Sequence, residues 1–215
     1  MIVIDQVHKS YRTYFGRKTV LDGISFTLPP DRNLGILGRN GAGKTTLMHI
    51  LSGLEFPDHG RIDRGGLRFS WPIGRGGIRS SLTGRDNLRF ISRVYGIDIA
   101  TVTRFVEDFS ELGAYLDMPV DTYSAGMRAR LAFSLSMACE FDCYLIDEGF
   151  SAGDARFTER MNALFEERRS RSNMIVVSHD MNIIRRFCHQ VGVMVDGKIV
   201  LFDSFDEAIA LYKTL

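Results

Sequence analysis

The sequence predicts an α/β fold: a mainly parallel sheet, an antiparallel β part at the start, and a block of helices inserted in the middle. Three observations predict it. Cys143-Tyr144-Leu145-Ile146 and Met174-Ile175-Val176-Val177 are continuous apolar runs, the pattern of parallel strands covered on both faces. From about Ser81 to Glu140, apolar residues recur at three- and four-residue steps (Leu88, Ile91, Val94 and Tyr95, then Met127, Leu131 and Leu135), which is helical spacing. Ahead of both, Asn33-Leu34-Gly35-Ile36-Leu37 reads as an apolar strand that enters a glycine-rich turn, and Thr46-Leu47-Met48-His49-Ile50-Leu51 reads as a helix leaving it.

In order, strand-like runs at Ile2–Ile4 and at Ile24-Ser25-Phe26-Thr27-Leu28, just before Pro29-Pro30, supply the antiparallel part. The helix after the glycine-rich turn ends near Gly53, and a glycine-dense passage from Gly60 to Gly77 leads to the helical block. Val193-Met194-Val195 and Ile199-Val200-Leu201 flank Asp196-Gly197, a hairpin signal. A last helix starts with Ser204 as cap and Glu207 three residues on, the spacing of a capping box. The chain therefore reads as a single domain, 1–215, with a core from 1–80 and 140–215 and a helical subdomain at about 81–139.

Composition removes several classes of function. The 215 residues, 45% apolar, can bury one substantial core or a core with a subdomain. Lys and Arg number 27 against 26 Asp and Glu, a net charge of +1, so no global field favours nucleic acid. Arginines 75, 79, 85, 89 and 93 bunch in one stretch and read as a solvated face. Cys139, Cys143 and Cys188 form an odd set without a fourth ligand at zinc spacing, and read as small core residues. The start at Met1-Ile2-Val3 has no charged-then-apolar leader, and no apolar run reaches 18 residues. A cytoplasmic protein is expected.

Gly38-Arg39-Asn40-Gly41-Ala42-Gly43-Lys44-Thr45 match the phosphate-cradling loop, glycine-x4-glycine-lysine-threonine, at every fixed position. Small residues let consecutive N–H groups turn toward a phosphate, and the helix opening at Thr46 adds the positive end of its dipole. Lys44 is expected to reach the β- and γ-phosphates and the Thr45 hydroxyl to sit on Mg²⁺. The fold is thus predicted to be a P-loop NTPase (RecA-like) core. The strand Cys143–Ile146 ends in Asp147-Glu148, at the sheet edge where ligands bind in open α/β folds. Asp147 is placed to hold Mg²⁺ through its water shell, and Glu148 to polarise the water that attacks the γ-phosphate. Ser178-His179-Asp180 ends the next strand, where His179 can donate to a γ-phosphate oxygen or orient the water. Tyr123-Ser124-Ala125-Gly126-Met127 opens a helix capped by Ser124, a second place where bare amides could meet a phosphate.

With these strings in this order, the chain resembles the ATP-binding subunits of ABC transporters over almost its whole length. The resemblance implies that Ser124 and Gly126 touch ATP held by the phosphate loop of a second copy. It also implies that Ser151-Ala152-Gly153-Asp154 is the D-loop carrying Asp154 across the dimer seam. His179 matches the family's switch histidine, and Tyr11, a tyrosine expected in a loop, matches the aromatic that stacks on adenine. Two places depart from the family pattern. Ala125 and Met127 stand where the signature Leu-Ser-Gly-Gly-Gln has glycine and glutamine. No glutamine occurs near Phe69-Ser70-Trp71-Pro72-Ile73, where one normally meets Mg²⁺; the chain has only Gln6 and Gln190. Either a water or another group takes that place, or hydrolysis is less tightly coupled to nucleotide contact.

The strings Ser70-Trp71-Pro72-Ile73-Gly74, Ser81-Leu82-Thr83-Gly84-Arg85-Asp86-Asn87-Leu88-Arg89-Phe90 and Tyr-Ser-x-Gly-Met resemble the capsular-polysaccharide export ATPases. Relatives that export O-antigen or teichoic acid often carry a further C-terminal domain, and ending at Leu215 favours the capsule type. The resemblance implies ATP and Mg²⁺ as cofactors and a homodimer sandwiching two ATP. It also implies an integral-membrane permease as partner, no nucleic acid, and a peripheral place on the cytoplasmic face of the bacterial inner membrane. The apolar string Trp71-Pro72-Ile73, in a glycine-rich passage, is expected to line a surface groove for that membrane partner.

Overall fold

The computed structural model describes residues 1–74, 77–147 and 155–215. In chain order the elements are β1 (Ile2–Thr13), β2 (Gly16–Leu28), β3 (Leu34–Gly38), α1 (Lys44–Ser52), β4 (His59–Asp63), α2 (Gly84–Tyr95), α3 (Ile99–Ser110), α4 (Ala125–Ala138), β5 (Cys143–Asp147), α5 (Ala155–Arg169), β6 (Asn173–Val177), α6 (Met181–Phe187), β7 (Gln190–Val195), β8 (Lys198–Phe202) and α7 (Phe205–Lys213). The described residues divide into two compact units, one of 1–72, 141–147 and 168–215, the other of 73–74, 77–140 and 155–167.

In the first unit, β2, β1 and β4 form an antiparallel sheet in that order, and β5, β6, β3, β7 and β8 form a second sheet. Neighbours in the second sheet are parallel except β7 and β8. As the apolar runs predicted, every residue of β3, β5 and β6 is buried. The β7–β8 turn carries positive φ at both Asp196 (47°) and Gly197 (77°), the backbone of a two-residue I′ hairpin. Ile2, Ile4, Ile24 and Leu28 of the antiparallel sheet share one core with Leu47 and Leu51 of α1 and Leu145 and Ile175 of the parallel sheet.

The first two strands are far longer than the apolar runs at their ends. Pairing runs from Ile2↔Leu28 to Thr13↔Gly16. Gln6 has φ 48°, and register shifts lie between Ile4 and Val7 and again between Val7 and Lys9. Such bulges interrupt the two-residue alternation by which a strand is read from sequence. Tyr11, expected in a loop, lies in β1 opposite Lys18.

In the second unit, α2, α3 and α4 pack against one another. Phe109, Phe133, Phe157 and Phe165 form an aromatic core with ring centroids 5.1 to 6.1 Å apart. Arg130 and Arg160 each cover one of these rings at 4.8 Å. Two of the bunched arginines are tied within the unit: Arg85 pairs with Glu107 at 2.8 Å and Asp117 at 2.6 Å, and Arg89 with Asp86 at 2.8 Å. Cys139, Cys143 and Cys188 are buried, as predicted.

Candidate functional site

The phosphate loop connects β3 to α1, at the carboxyl edge of the parallel sheet. Gly43 has φ 102°, and a Cβ there would stand 2.7 Å from the Val20 carbonyl oxygen. Only glycine fits, which fixes the start of α1 against β2. Lys44, the first residue of α1, is 6% exposed. Its ammonium donates to the carbonyls of Gly38 (2.6 Å) and Arg39 (3.1 Å), so the loop folds around a cation that satisfies its own carbonyls. Ala42 N–H donates back to Arg39 O at 3.1 Å, closing the turn.

Two strands away, β5 ends in Asp147, paired in register with Val177 of β6, which in turn faces Ile36 of β3. The ends of three strands thus place Asp147, the turn after Val177, and the loop after Gly38 on one edge. Asp147 is 1% exposed, and its Oδ2 has no hydrogen-bond partner among the described residues. An unpaired carboxylate oxygen held in the interior is costly unless a cation or donor meets it. Thr45 supplies a hydroxyl next to Lys44, and hydroxyl plus carboxylate oxygen is the donor chemistry that Mg²⁺ takes. The residues present therefore fit that ion.

After β6, Ser178 accepts from the Asp180 N–H at 3.0 Å, and Asp180 caps α6 by accepting from Asn182 N–H at 2.8 Å. His179 sits between them, with its Nδ1 3.1 Å from the Tyr212 hydroxyl of α7. Tyr11 donates its hydroxyl to Glu55 at 2.7 Å, and the Lys9 ammonium lies 5.6 Å from its ring centroid. Partial burial raises the Tyr11 phenol above its ordinary value, while a hydrogen bond to Thr46, on α1, works in the opposite sense. Tyr11 thus stands beside the helix that carries Thr45 and Thr46.

Tyr11, the loop from Gly38 through Arg39, Asn40, Gly41, Ala42, Gly43, Lys44, Thr45 and Thr46, Asp147 and His179 all lie in the first unit; Ser124 and Gly126 lie in the second. Glu148 and Asp154 lie outside the described residues. Ser124 caps α4 as predicted, its hydroxyl accepting from Met127 N–H at 3.2 Å. Among the described residues, a Cβ added to Gly126 would meet one atom within 4 Å, the Ser124 Oγ at 3.9 Å.

The surface reading of Trp71-Pro72-Ile73 is overturned. Trp71 is 6% and Ile73 4% exposed, and Pro72 is buried. Trp71 packs edge-on to Phe141 with centroids 5.7 Å apart, and the Ser70 hydroxyl accepts from Leu145 N–H at 2.8 Å. The string is stitched to β5 and its apolar residues serve the core. Sequence reasoning also missed Tyr212 and the hydrogen bond from Arg39 to the Leu215 carbonyl (2.6 Å); both bridge parts of the chain far apart in sequence, and no local pattern marks them.

The profile of the ABC transporter family matches residues 21–151. The capsule polysaccharide export ATP-binding protein CtrD of Neisseria meningitidis serogroup B is 48% identical over the full length of both chains. The ATP-binding protein BexA of Haemophilus influenzae is 49% identical over 99% of this chain and 98% of its own. The teichoic acids export ATP-binding protein TagH of Lactococcus lactis is more distant, 35% identical over 90% of this chain and 42% of its own length. Among solved structures, a dimeric post-hydrolysis state of the ATP-binding cassette MJ0796, bound to ADP and Pi, superposes with a TM-score of 0.78. That match has 18% identity and covers 94% of this chain and 98% of that one. The loop, the strand-end carboxylate and these relatives together make the chain a member of the ABC transporter family, an ATP-binding subunit with the fold of an ABC ATPase.

Proposed function

We propose that the chain is the ATP-hydrolysing motor of a capsular-polysaccharide exporter, and that two copies close over two ATP molecules. The observation that carries this reading is the 48% identity to CtrD, end to end in both chains, in a chain with an intact phosphate loop. Lys44 leaves its loop carbonyls to neutralise the β- and γ-phosphates, and the loop amides take the phosphate oxygens. Thr45 and Asp147 would hold Mg²⁺, which when bound would neutralise phosphate charge. Glu148 receives the proton of the attacking water, a general-base role worth about 10² to 10⁴ in rate. His179 donates to the γ-phosphate, and Tyr11 stacks on adenine, worth about 1–3 kcal/mol.

Ser124 and Gly126, with Asp154, act on the nucleotide of the other copy. The room beside Gly126 supports this reading, because no contact among the described residues demands a glycine there. No helix among the described residues is long and apolar enough to cross a membrane. By likeness to the export ATP-binding protein CtrD, the motor works through a separate permease, as a peripheral subunit on the cytoplasmic face of the inner membrane, driving a lipid-linked polysaccharide outward.

Two measurements test this. At low concentration the ATPase rate should rise with the square of chain concentration; a strictly proportional rate refutes the dimer. In cells, the chain should co-purify with an integral-membrane partner, and its Lys44→Ala variant should abolish surface polysaccharide. Normal export with that variant refutes the motor role.

A further inference from the structure

We propose that Tyr212 of α7 is a positioning residue for His179, holding its imidazole in the tautomer that carries the proton on Nε2. The geometry begins with α7 itself. Ala208 on this helix is fully buried, Asp206 pairs with Arg185 of α6 at 2.5 Å, and the Arg185 guanidinium lies 5.7 Å from the Phe205 ring centroid. Two residues beyond its last turn, the Leu215 carbonyl accepts from Arg39 of the phosphate loop at 2.6 Å. One short helix is thus tied both to the helix that follows His179 and to the loop that holds Lys44.

From this braced helix the Tyr212 hydroxyl reaches the His179 Nδ1 at 3.1 Å, across 33 residues of sequence. Tyr212 is half-buried, while His179 is exposed. An exposed histidine samples several rotamers and both neutral tautomers; a partner on a fixed helix selects among them. The direction of the bond follows from acidity. A phenol is the weaker base and the better donor toward a neutral imidazole nitrogen, so the tyrosine O–H donates and Nδ1 accepts. The imidazole proton is then on Nε2, the nitrogen remote from α7.

This inference rests on the proposed role of His179 as a donor to the γ-phosphate. A donor is what an Nε2–H provides, and the opposite tautomer would offer a lone pair to an anion instead. The Arg39–Leu215 bond links the segment just after the same helix to the phosphate loop.

The experiment uses the full chain labelled with ¹⁵N-histidine, with the His179 signal identified by its loss in His179→Gln. Imidazole nitrogen shifts should report Nε2–H for wild type and a substantial Nδ1–H fraction in Tyr212→Phe, which keeps the ring and removes the hydroxyl. In the same variant kcat should fall about three- to tenfold with KM for ATP unchanged, the scale of one hydrogen bond. The double variant Tyr212→Phe/His179→Ala should be no slower than His179→Ala alone. An unchanged tautomer in Tyr212→Phe, or a full additional loss in the double variant, overturns the proposal. If wild type hydrolyses no ATP, the reading of the chain as a motor fails instead, and the nitrogen shifts still decide what Tyr212 does.

Discussion

Asp147→Asn separates what the fold needs from what the nucleotide site needs. The carboxylate is 1% exposed and its Oδ2 has no partner among the described residues. An unsatisfied buried polar atom costs about 1–3 kcal/mol, with charge adding to that cost. The amide has the same shape without the charge, so the nucleotide-free chain should gain about 1–2 kcal/mol. For a chain of this size each kcal/mol is worth about 2–4 °C in melting temperature, which gives a rise of about 2–8 °C. With ATP at a hundred times its Kd, wild type should gain about 2.7 kcal/mol from ligand binding. Much of that gain should vanish when Mg²⁺ is chelated. In Asp147→Asn the metal-dependent part should be missing from the outset. Thermal and urea unfolding, each with and without ATP and with Mg²⁺ or chelator, measure all of these. A variant that is less stable than wild type without nucleotide, or that keeps the full metal-dependent increment, refutes the reasoning.

Glu148→Gln should bind ATP as wild type does and lose about 10² to 10⁴ in turnover, measured by filter binding and single-turnover hydrolysis. Gly84→Ala would place a Cβ 2.9 Å from the Tyr123 hydroxyl and 3.0 Å from the Leu116 carbonyl oxygen; it should cost about 1–3 kcal/mol in urea unfolding. Gly126→Ala should leave folding intact or improve it by up to about 1 kcal/mol, while weakening ATP-driven dimerisation in analytical ultracentrifugation. Burial pushes the Cys188 thiol up to about 12, and Cys143 higher still, so the thiolate fraction near neutral pH is negligible. A thiol reagent at pH 8 should leave the native chain unlabelled and modify all 3 cysteines in urea.

The parallel sheet was legible because burial on both faces writes itself as continuous apolar runs, and β5 and β6 begin within one residue of Cys143 and Met174. The phosphate loop was legible because its glycines answer local demands of backbone and space. The hairpin of β1 and β2 was legible only at its apolar ends. Its outer half is polar (Lys9, Ser10, Arg12, Arg17, Lys18), and the bulge at Gln6 breaks the alternation. Trp71 was misjudged because it lies in a passage dense in glycine from Gly60 to Gly77, whereas its neighbour in space is Phe141, 70 residues on. What depends on contacts of that range cannot be inferred from a local window, and the Tyr212–His179 bond belongs to the same class.

Two glycines of the helical unit carry opposite arguments. Tyr123 is 3% exposed, with its hydroxyl donating to the Tyr115 carbonyl and its own carbonyl taking Arg128 at 2.7 Å. Gly84 lets α2 press against that tyrosine, and Asn87, fully buried, bonds the Arg79 N–H and the carbonyls of Arg79 and Thr83 to hold the turn that starts α2. The string from Ser81 to Phe90 and the string from Tyr123 to Met127 are therefore one packing arrangement, which sets where α4 begins. Gly126 lies two residues inside that helix, yet its packing gives no reason for glycine, and glycine there costs up to about 1 kcal/mol relative to alanine. A residue that weakens its own helix without relieving any contact among the described residues fits the approach of a group from outside. On the reading proposed above, that group is the ATP held by a second copy.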